Sequence, residues 1–121
     1  MTYDPQNIFA KILRNEIPCN KVFENEFAFA FHDIAPQAAV HILVIPKGPF
    51  VSFDDFTRKA PPALQQGFFA AIQSIAEQES IVKSGYRLIC NHGADSNQEV
   101  PHFHMHILAG ENLGALLPKA M

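Results

Sequence analysis

Three histidines at alternate positions, His102, His104 and His106, are the residues of this sequence best suited to chemistry. Apolar residues separate them, so a β-strand here would point the imidazoles to one face, about 7 Å apart, and the apolar side chains to the other. Burying an unpaired imidazole costs about 1–3 kcal/mol. A sequence selected for stability alone would rarely carry this pattern, which therefore indicates a functional surface.

Three interpretations of the pattern compete. The first is an exposed polar face of a half-buried strand, where Thr, Lys or Glu would serve as well. The second is a metal site, because His-x-His on a strand supplies two Zn²⁺ ligands and His41 or Asp33 could complete the set. The third is nucleophilic and acid–base catalysis by imidazole. Spacing alone does not separate the second from the third.

The periodicity of the remaining sequence predicts the elements that would position these side chains. A short helix is predicted over residues 7–14, with a start signal at Asp4 and Pro5. Strands are predicted over residues 21–24, 27–32, 41–45, 86–91 and 102–109. Alternation along the third strand places His41 and Leu43 on the same face.

One long helix is predicted to begin at Pro61 and Pro62, because proline is tolerated in a first turn. Gly85 is predicted to cap its C-terminus. Its apolar stripe consists of Leu64, Phe68, Ala71, Ile72 and Ile75. Residues 47–59 are predicted to form a loop with one short helical turn at residues 52–56. The order α, β, β, β, α, β, β is typical of an α+β fold, an antiparallel sheet with helices on one face.

Length and composition narrow the class of protein. The 121 residues, 48% of them hydrophobic, predict one domain spanning residues 1–121. The net charge of −3 and the lack of a Lys/Arg block argue against a nucleic-acid partner. The two cysteines form no recognisable disulfide framework. No secretory signal and no apolar run of about 20 residues is present, so no membrane association and a cytoplasmic location are expected.

The segment at residues 101–108 resembles the signature of the histidine triad (HIT) superfamily, His-φ-His-φ-His-φ-φ with φ apolar. Other blocks match in family order: IFAKI at 8–12, IP at 17–18, AFHDIAPQA at 30–38, HILVIPK at 41–47, Asn91, and QEV at 98–100. The motif-bearing part spans residues 7–110 and leaves a tail at 111–121. The nearest resemblance is to histidine triad nucleotide-binding proteins that act on purine nucleoside phosphoramidates.

The resemblance implies a HIT-like fold, with about five antiparallel strands, one long helix and one short helix. It also implies a hydrolase, without a cofactor, that cleaves the P–N bond of purine nucleoside 5′-monophosphoramidates such as adenosine phosphoramidates. His104 would attack the α-phosphorus and form a nucleotidyl-histidine intermediate that water hydrolyses. His106 would contact the phosphate and pass a proton to the leaving group, while His102 and His41 would hold the array in the right tautomers.

The same resemblance implies a purine-nucleotide site. Asp33 would accept hydrogen bonds from the ribose hydroxyls, although a turn-forming Asp is the alternative. The base pocket would consist of Ile8, Phe9, Ile12, Phe31, His32, Ile34 and Leu43, of which the apolar members could instead be plain core. Asn91, Gln98 and Glu99 would lie near the phosphate and leaving group, unless they belong to a solvent-facing loop. A carboxylate repels phosphate, so Glu99 would act through its backbone N–H or receive a cationic amine.

Departures from the family pattern bear on metal and partners. Residues 7–10 lack the Cys-x-x-Cys zinc site of some branches, so no metal is expected. The tail lacks the aromatic ending that some relatives use to tune the choice of leaving group in a partner subunit. A homodimer is implied, with the long helix and a strand edge at the contact, and Phe69 lies off the core stripe as such a contact requires.

Two alternatives remain beside the phosphoramidate hydrolase. One is dinucleoside polyphosphate hydrolysis, which uses the same nucleophile with a phosphate leaving group. The other is a nucleotide-binding or scaffold protein whose catalysis is incidental, because the same pocket would serve both.

Overall fold

The structure is a computed structural model that describes residues 2–118, so part of the predicted tail lies outside the described residues. Its elements are α1 (Ile8–Leu13), β1 (Lys21–Glu24), β2 (Ala28–His32), β3 (Val40–Pro46), α2 (Phe53–Lys59), α3 (Pro62–Gln78), β4 (Tyr86–Ile89) and β5 (Met105–Ala109). The five strands form one antiparallel sheet in the order β1-β2-β3-β5-β4. This confirms the predicted α+β class and strand number.

Helix α2 replaces the single helical turn predicted inside a loop. The Ser52 side chain accepts the N–H of Asp55, which caps the helix. Acidic Asp54 and Asp55 in the first turn, with Arg58 and Lys59 in the last, complement the helix dipole. The charges of this segment therefore carried a helical signal that its apolar pattern did not.

The sheet is covered on both faces, which corrects the expectation of helices on one face. Residues of β2 alternate between two apolar clusters: Ala28 and Ala30 pack with α2 and α3, whereas Phe29 and Phe31 pack with α1. The reason is that β2 and β3 carry apolar side chains on both sides, and a single helical layer could cover only one of them.

The bounds of α1 agree with the prediction, whereas the end of α3 differs from it. Helix α1 covers Ile8–Leu13 within the predicted 7–14, and its N-cap is the buried Asn7, with Asp4 and Pro5 in the segment before it. Helix α3 ends at Gln78 and turns through Ser80 at φ +58°, so Gly85 is not its cap. Gly85, at φ +100°, lies in the turn that enters β4.

The histidine segment is only partly in the sheet. The strand β5 begins at Met105, so His102 and His104 precede it, contrary to the predicted strand at 102–109. The backbone N–H of Phe103 instead donates to the carbonyl of Phe50 at 2.8 Å. The side chains still alternate, because Phe103 and Met105 pack into the cluster under α3. None of the helices among residues 2–118 is long and apolar enough to cross a membrane.

Candidate active site

Helix α1 holds an aromatic ring against two of the histidines. The first turn is fixed because Asn7 Oδ1 accepts the N–H of Ala10 at 2.9 Å. The buried ring of Phe9, in that turn, lies edge-on to the ring of His104, with centroids 5.0 Å apart, and to that of His102 at 6.3 Å. This apolar wall keeps water from one side of both imidazoles.

Strands β3 and β5 bring a second pair of histidines together. In their register Leu43 faces His106 and His41 faces Leu108, so His41 and His106 are diagonal neighbours on one face of the sheet. Nε2 of His41 lies 2.8 Å from Nδ1 of His106. The carboxylate of Asp33 approaches Nε2 of His41 at 3.4 Å. Residues far apart in sequence therefore form one polar group.

Hydrogen-bond partners determine which ring nitrogen of His104, His41 and His106 carries the proton in the neutral form. Nδ1 of His104 lies 2.7 Å from the carbonyl oxygen of His102, so Nδ1 donates and Nε2 keeps its lone pair. The N–H of Gln37 donates to Nδ1 of His41 at 3.0 Å. The proton of His41 therefore lies on Nε2, which donates a hydrogen bond to Nδ1 of His106. The proton of His106 consequently lies on Nε2.

His102 is fully buried, and both its ring nitrogens have partners. Nε2 lies 3.3 Å from the carbonyl oxygen of Pro46 and donates to it. Nδ1 accepts from the hydroxyl of Tyr3 at 2.8 Å. These bonds leave His102 no free ring nitrogen to contact a substrate, so its role in the site is to hold its neighbours in position.

Burial keeps the four imidazoles neutral. It lowers the pKa of His102 to about 4, against the opposing bond to the Pro46 carbonyl. Burial, and then the neighbouring imidazoles, lower the pKa of His106 to about 4. Burial also lowers the pKa values of His41 and His104, with nearby carboxylates acting in the opposite direction. At neutral pH the free Nε2 of His104 is therefore a lone-pair donor.

A cavity of about 270 Å³ opens over His104 and His106. Its walls include five residues predicted for nucleotide binding, namely Phe9, Asp33, Leu43, Asn91 and Glu99. A smaller cavity of about 170 Å³ shares Gln37, Asn91 and His106 with it. The lone pair on Nε2 of His104 and the N–H at Nε2 of His106 are thus available to a cavity that is also lined by two carboxylates, Asp33 and Glu99, and by side-chain amides such as that of Asn91.

The other apolar residues predicted for the base pocket do not line this cavity. Ile12 and Phe31 are buried in the cluster between α1 and the sheet, as plain core residues would be. Ile34 is 96% exposed and Ile8 is 44% exposed. His32 is exposed at the end of β2. Ile34 and His32 flank Asp33 in the chain but do not line the cavity.

Gln98 has a structural position in the polar loop. Its side-chain amide accepts from the N–H of Gly93 at 3.0 Å and donates to the carbonyls of Val51 at 2.7 Å and Val100 at 3.1 Å. It ties the loop to the segment before α2. Its neighbour Glu99 faces the cavity instead.

Sequence reasoning missed several contributors to the site. Gln37 and Tyr3 each bond to an imidazole, and Ser96, Asn97 and Val100 line the cavity. Gln37 acts through its backbone, which leaves no side-chain signal. Tyr3 is 99 positions from His102, and no spacing rule links such residues.

Asp33, His41 and His106 each place one potential metal-ligand atom within 4.8 Å of the others. The metal alternative therefore has a geometric basis. Nε2 of His41 and Nδ1 of His106 already form a hydrogen bond of 2.8 Å with each other. A metal ion bound to both of these nitrogens would have to displace the proton between them.

Fold and site together define a class of small α+β proteins that hold an array of neutral histidines beside a cavity. The chain belongs to the HIT domain family, whose profile matches residues 14–113.

Individual relatives and a solved structure support this family assignment. A HIT-like protein of Azospirillum brasilense is 54% identical over 118 residues, which cover 98% of this chain and 97% of that one. The purine nucleoside phosphoramidase of Escherichia coli (strain K12) is 44% identical over 112 residues, 93% of each chain. The structure of a HIT family hydrolase from Clostridium thermocellum matches with a TM-score of 0.79 and 33% identity, covering 96% of this chain and 97% of that one.

Proposed function

We propose that this protein hydrolyses purine nucleoside 5′-monophosphoramidates through a covalent nucleotidyl intermediate on His104. The observation that carries the proposal is the bond from Nδ1 of His104 to the carbonyl of His102, because it leaves Nε2 unprotonated beside the cavity. The phosphoramidase of Escherichia coli supplies the substrate class.

In the first step, the lone pair on Nε2 of His104 forms a bond to the α-phosphorus and the P–N bond breaks. The leaving nitrogen keeps the bonding electrons and takes a proton from Nε2 of His106, which becomes neutral. His106 carries two protons at this point, because the negative phosphoryl group of the bound substrate favours its protonated form and a proton is taken up from solvent on binding. Before the substrate binds, the hydrogen bond from His41 to Nδ1 of His106 orients that ring.

In the second step, water attacks the phosphorus of the nucleotidyl-imidazole and the P–N bond to His104 breaks. The neutral His106 accepts a proton from the water at Nε2. The products are the amine, released in the first step, and the nucleoside monophosphate. His106 is protonated at the end of the second step, and release of that proton to solvent restores the starting enzyme, so the reaction balances with no further reactant.

Binding of the nucleotide would use the cavity wall. Asp33 would accept the ribose hydroxyls, and Phe9 and Leu43 would contact the base. Asn91 would contact the phosphoryl group or the leaving group. The preference for a purine remains a prediction, as do the binding roles of the exposed residues Ile8, His32 and Ile34, of the buried residues Ile12 and Phe31, and of Gln98 in the loop.

Glu99 supports a preference for cationic leaving groups. Its carboxylate lies on the wall of the cavity that contains the nucleophile. A lysyl phosphoramidate should therefore be hydrolysed faster than one with a neutral amine, and Glu99→Gln should reduce that difference. Equal rates with the two substrates would contradict this preference.

A homodimer and a cytoplasmic location complete the proposal. Strand β4 lies at an edge of the sheet and exposes Tyr86 and Leu88, and Phe69 is exposed on α3. An edge strand with apolar side chains is suited to pairing with a second copy. Sedimentation of the wild type and of Leu88→Glu tests this, with a smaller species expected for the variant.

The test of the activity compares His104→Asn with His92→Asn on an adenosine phosphoramidate. His92 is an exposed histidine of the polar loop outside the cavity wall, and it serves as the matched control. We expect His104→Asn to lose about three or more orders of magnitude in kcat while still binding AMP, and His92→Asn to be unaffected. A loss below tenfold in His104→Asn would overturn the assignment of the nucleophile.

A further inference from the structure

His102, whose carbonyl oxygen bonds to the proposed nucleophile His104, contacts Tyr3, a residue from the other end of the chain. His102 is completely buried, and its Nδ1 accepts a hydrogen bond from the Tyr3 hydroxyl at 2.8 Å. The two rings are also edge-on, with centroids 5.6 Å apart. Within residues 2–118, the Tyr3 hydroxyl is the only partner of that nitrogen.

The segment that carries Tyr3 has no regular secondary structure, yet it is tied to α1. The carbonyl of Asp4 accepts both the backbone N–H of Asn7, at 3.1 Å, and its side-chain amide, at 2.8 Å. The carbonyl of Pro5 accepts Nη1 of Arg14 at 2.8 Å. The position of Tyr3 is therefore set by α1, the helix that also supplies Phe9 to the cavity wall.

Two hydrogen bonds lead from Tyr3 through His102 to the nucleophile, and a third holds the ring of His102. The hydroxyl donates to Nδ1 of His102, and this leaves Nε2 of His102 to donate to Pro46. The ring of His102 is thereby held on β3. Its backbone carbonyl accepts the proton of Nδ1 of His104. A displacement of His102 would move the acceptor that determines the tautomer of His104.

We propose that Tyr3 is a positioning residue, whose hydroxyl holds His102 so that the His102 carbonyl keeps Nε2 of His104 unprotonated and aimed at the cavity. This inference rests on the proposed function of His104. Tyr3 itself does not line the cavity, so it acts through His102 rather than on a substrate.

The substitution Tyr3→Phe tests the proposal, because it removes one oxygen and keeps the ring. The matched control is Thr57→Val, which also removes one hydroxyl. That hydroxyl bonds to carbonyls of its own helix α2, and Thr57 lies outside the cavity wall. Both variants are assayed on an adenosine phosphoramidate well below their unfolding temperatures. We expect Tyr3→Phe to lower kcat on the order of tenfold with KM changed less than twofold, and Thr57→Val to match the wild type.

A second readout is independent of activity. In ¹⁵N-histidine spectra, the wild type should show Nδ1 of His104 protonated and Nε2 unprotonated, and Tyr3→Phe should show a mixture of both tautomers. Unchanged His104 nitrogen signals in Tyr3→Phe, or a kcat within twofold of wild type, would overturn the role of Tyr3. If the wild type hydrolyses no phosphoramidate, the proposed function fails, and the His104 spectra alone decide whether Tyr3 positions the ring.

Discussion

Residues 102–104 direct side chains to both faces of the sheet, and these side chains have different roles on the two faces. On the face under α2 and α3, Phe103 stacks on Phe56 with centroids 4.8 Å apart and contacts Phe68 at 5.3 Å. On the opposite face, one residue to either side, His102 and His104 are buried among hydrogen-bond partners. The first face gains stability from apolar burial, and the second buries polar rings whose value is chemical.

This difference explains why most of the ring nitrogens of the four imidazoles have hydrogen-bond partners. A buried polar group without a partner costs about 1–3 kcal/mol, and in the described residues no fully buried side-chain nitrogen or oxygen lacks one. Among the four imidazoles, the ring nitrogens without a partner in the described residues are Nε2 of His104 and Nε2 of His106, and both residues line the cavity. The polar face thus leaves free the two atoms that the proposed reaction requires.

The largest expected effect is on the free energy of unfolding and comes from a substitution that removes packing on the apolar face. Phe103→Ala should lower the free energy of unfolding by about 3–5 kcal/mol, because it removes a ring that is 1% exposed. Urea denaturation measures this. Phe69→Ala is the control on an exposed ring, 43% accessible, and should cost clearly less. A loss below 1 kcal/mol in Phe103→Ala would contradict the assignment of the main core.

Because the polar face buries neutral imidazoles, it should make the free energy of unfolding depend on pH. The pKa of His102 is about 4 in the folded chain and about 6.5 in an unfolded one, so acid favours the unfolded state. The stability should be fully present above pH 6.5 and should fall as the pH decreases toward 4, by at most about 3 kcal/mol from this residue.

Urea titrations at several pH values, in the wild type and in His102→Gln, measure this dependence. The variant should lose less stability between pH 6.5 and 4, because it has one fewer buried imidazole to protonate. Identical slopes in the two proteins would show that His102 is not held neutral by burial.

The smallest effect concerns the pH dependence of turnover. Protonation of Nε2 of His104 removes the lone pair, and burial lowers the pKa of this residue. An imidazole of pKa 6.5 is about nine-tenths protonated at about pH 5.5. With a leaving group that does not titrate in this range, the enzyme should keep more than a tenth of its kcat at that pH. An acid limb centred at or above pH 6.5 would contradict the burial argument.

Much of the polar face could be predicted from the sequence, because the alternation of His102, His104 and His106 specifies one side of an extended segment. His41 was predicted to belong to the same array, but its pairing with His106 was not predicted, because it depends on the register of β3 and β5. The structure shows that alternation persists without a strand at His102, since the Phe103 backbone bonds to Phe50 instead.

What the sequence could not predict depends on contacts between distant segments. The position of α1 on the opposite face was not predicted, because apolar runs in β2 and β3 do not tell which helix covers which side. The contributions of Tyr3 and Gln37 come from a lone hydroxyl and a backbone N–H, and neither leaves a periodic pattern.

The central claim is that His104 becomes covalently attached to the nucleotide. The direct measurement mixes the enzyme with an adenosine phosphoramidate, stops the reaction within milliseconds in alkali, which preserves a P–N bond to imidazole, and locates the adduct by fragmentation mass spectrometry. The account predicts an adenylyl group on His104 and none on His41, His102 or His106. Turnover without an adduct, or an adduct on another histidine, would contradict it.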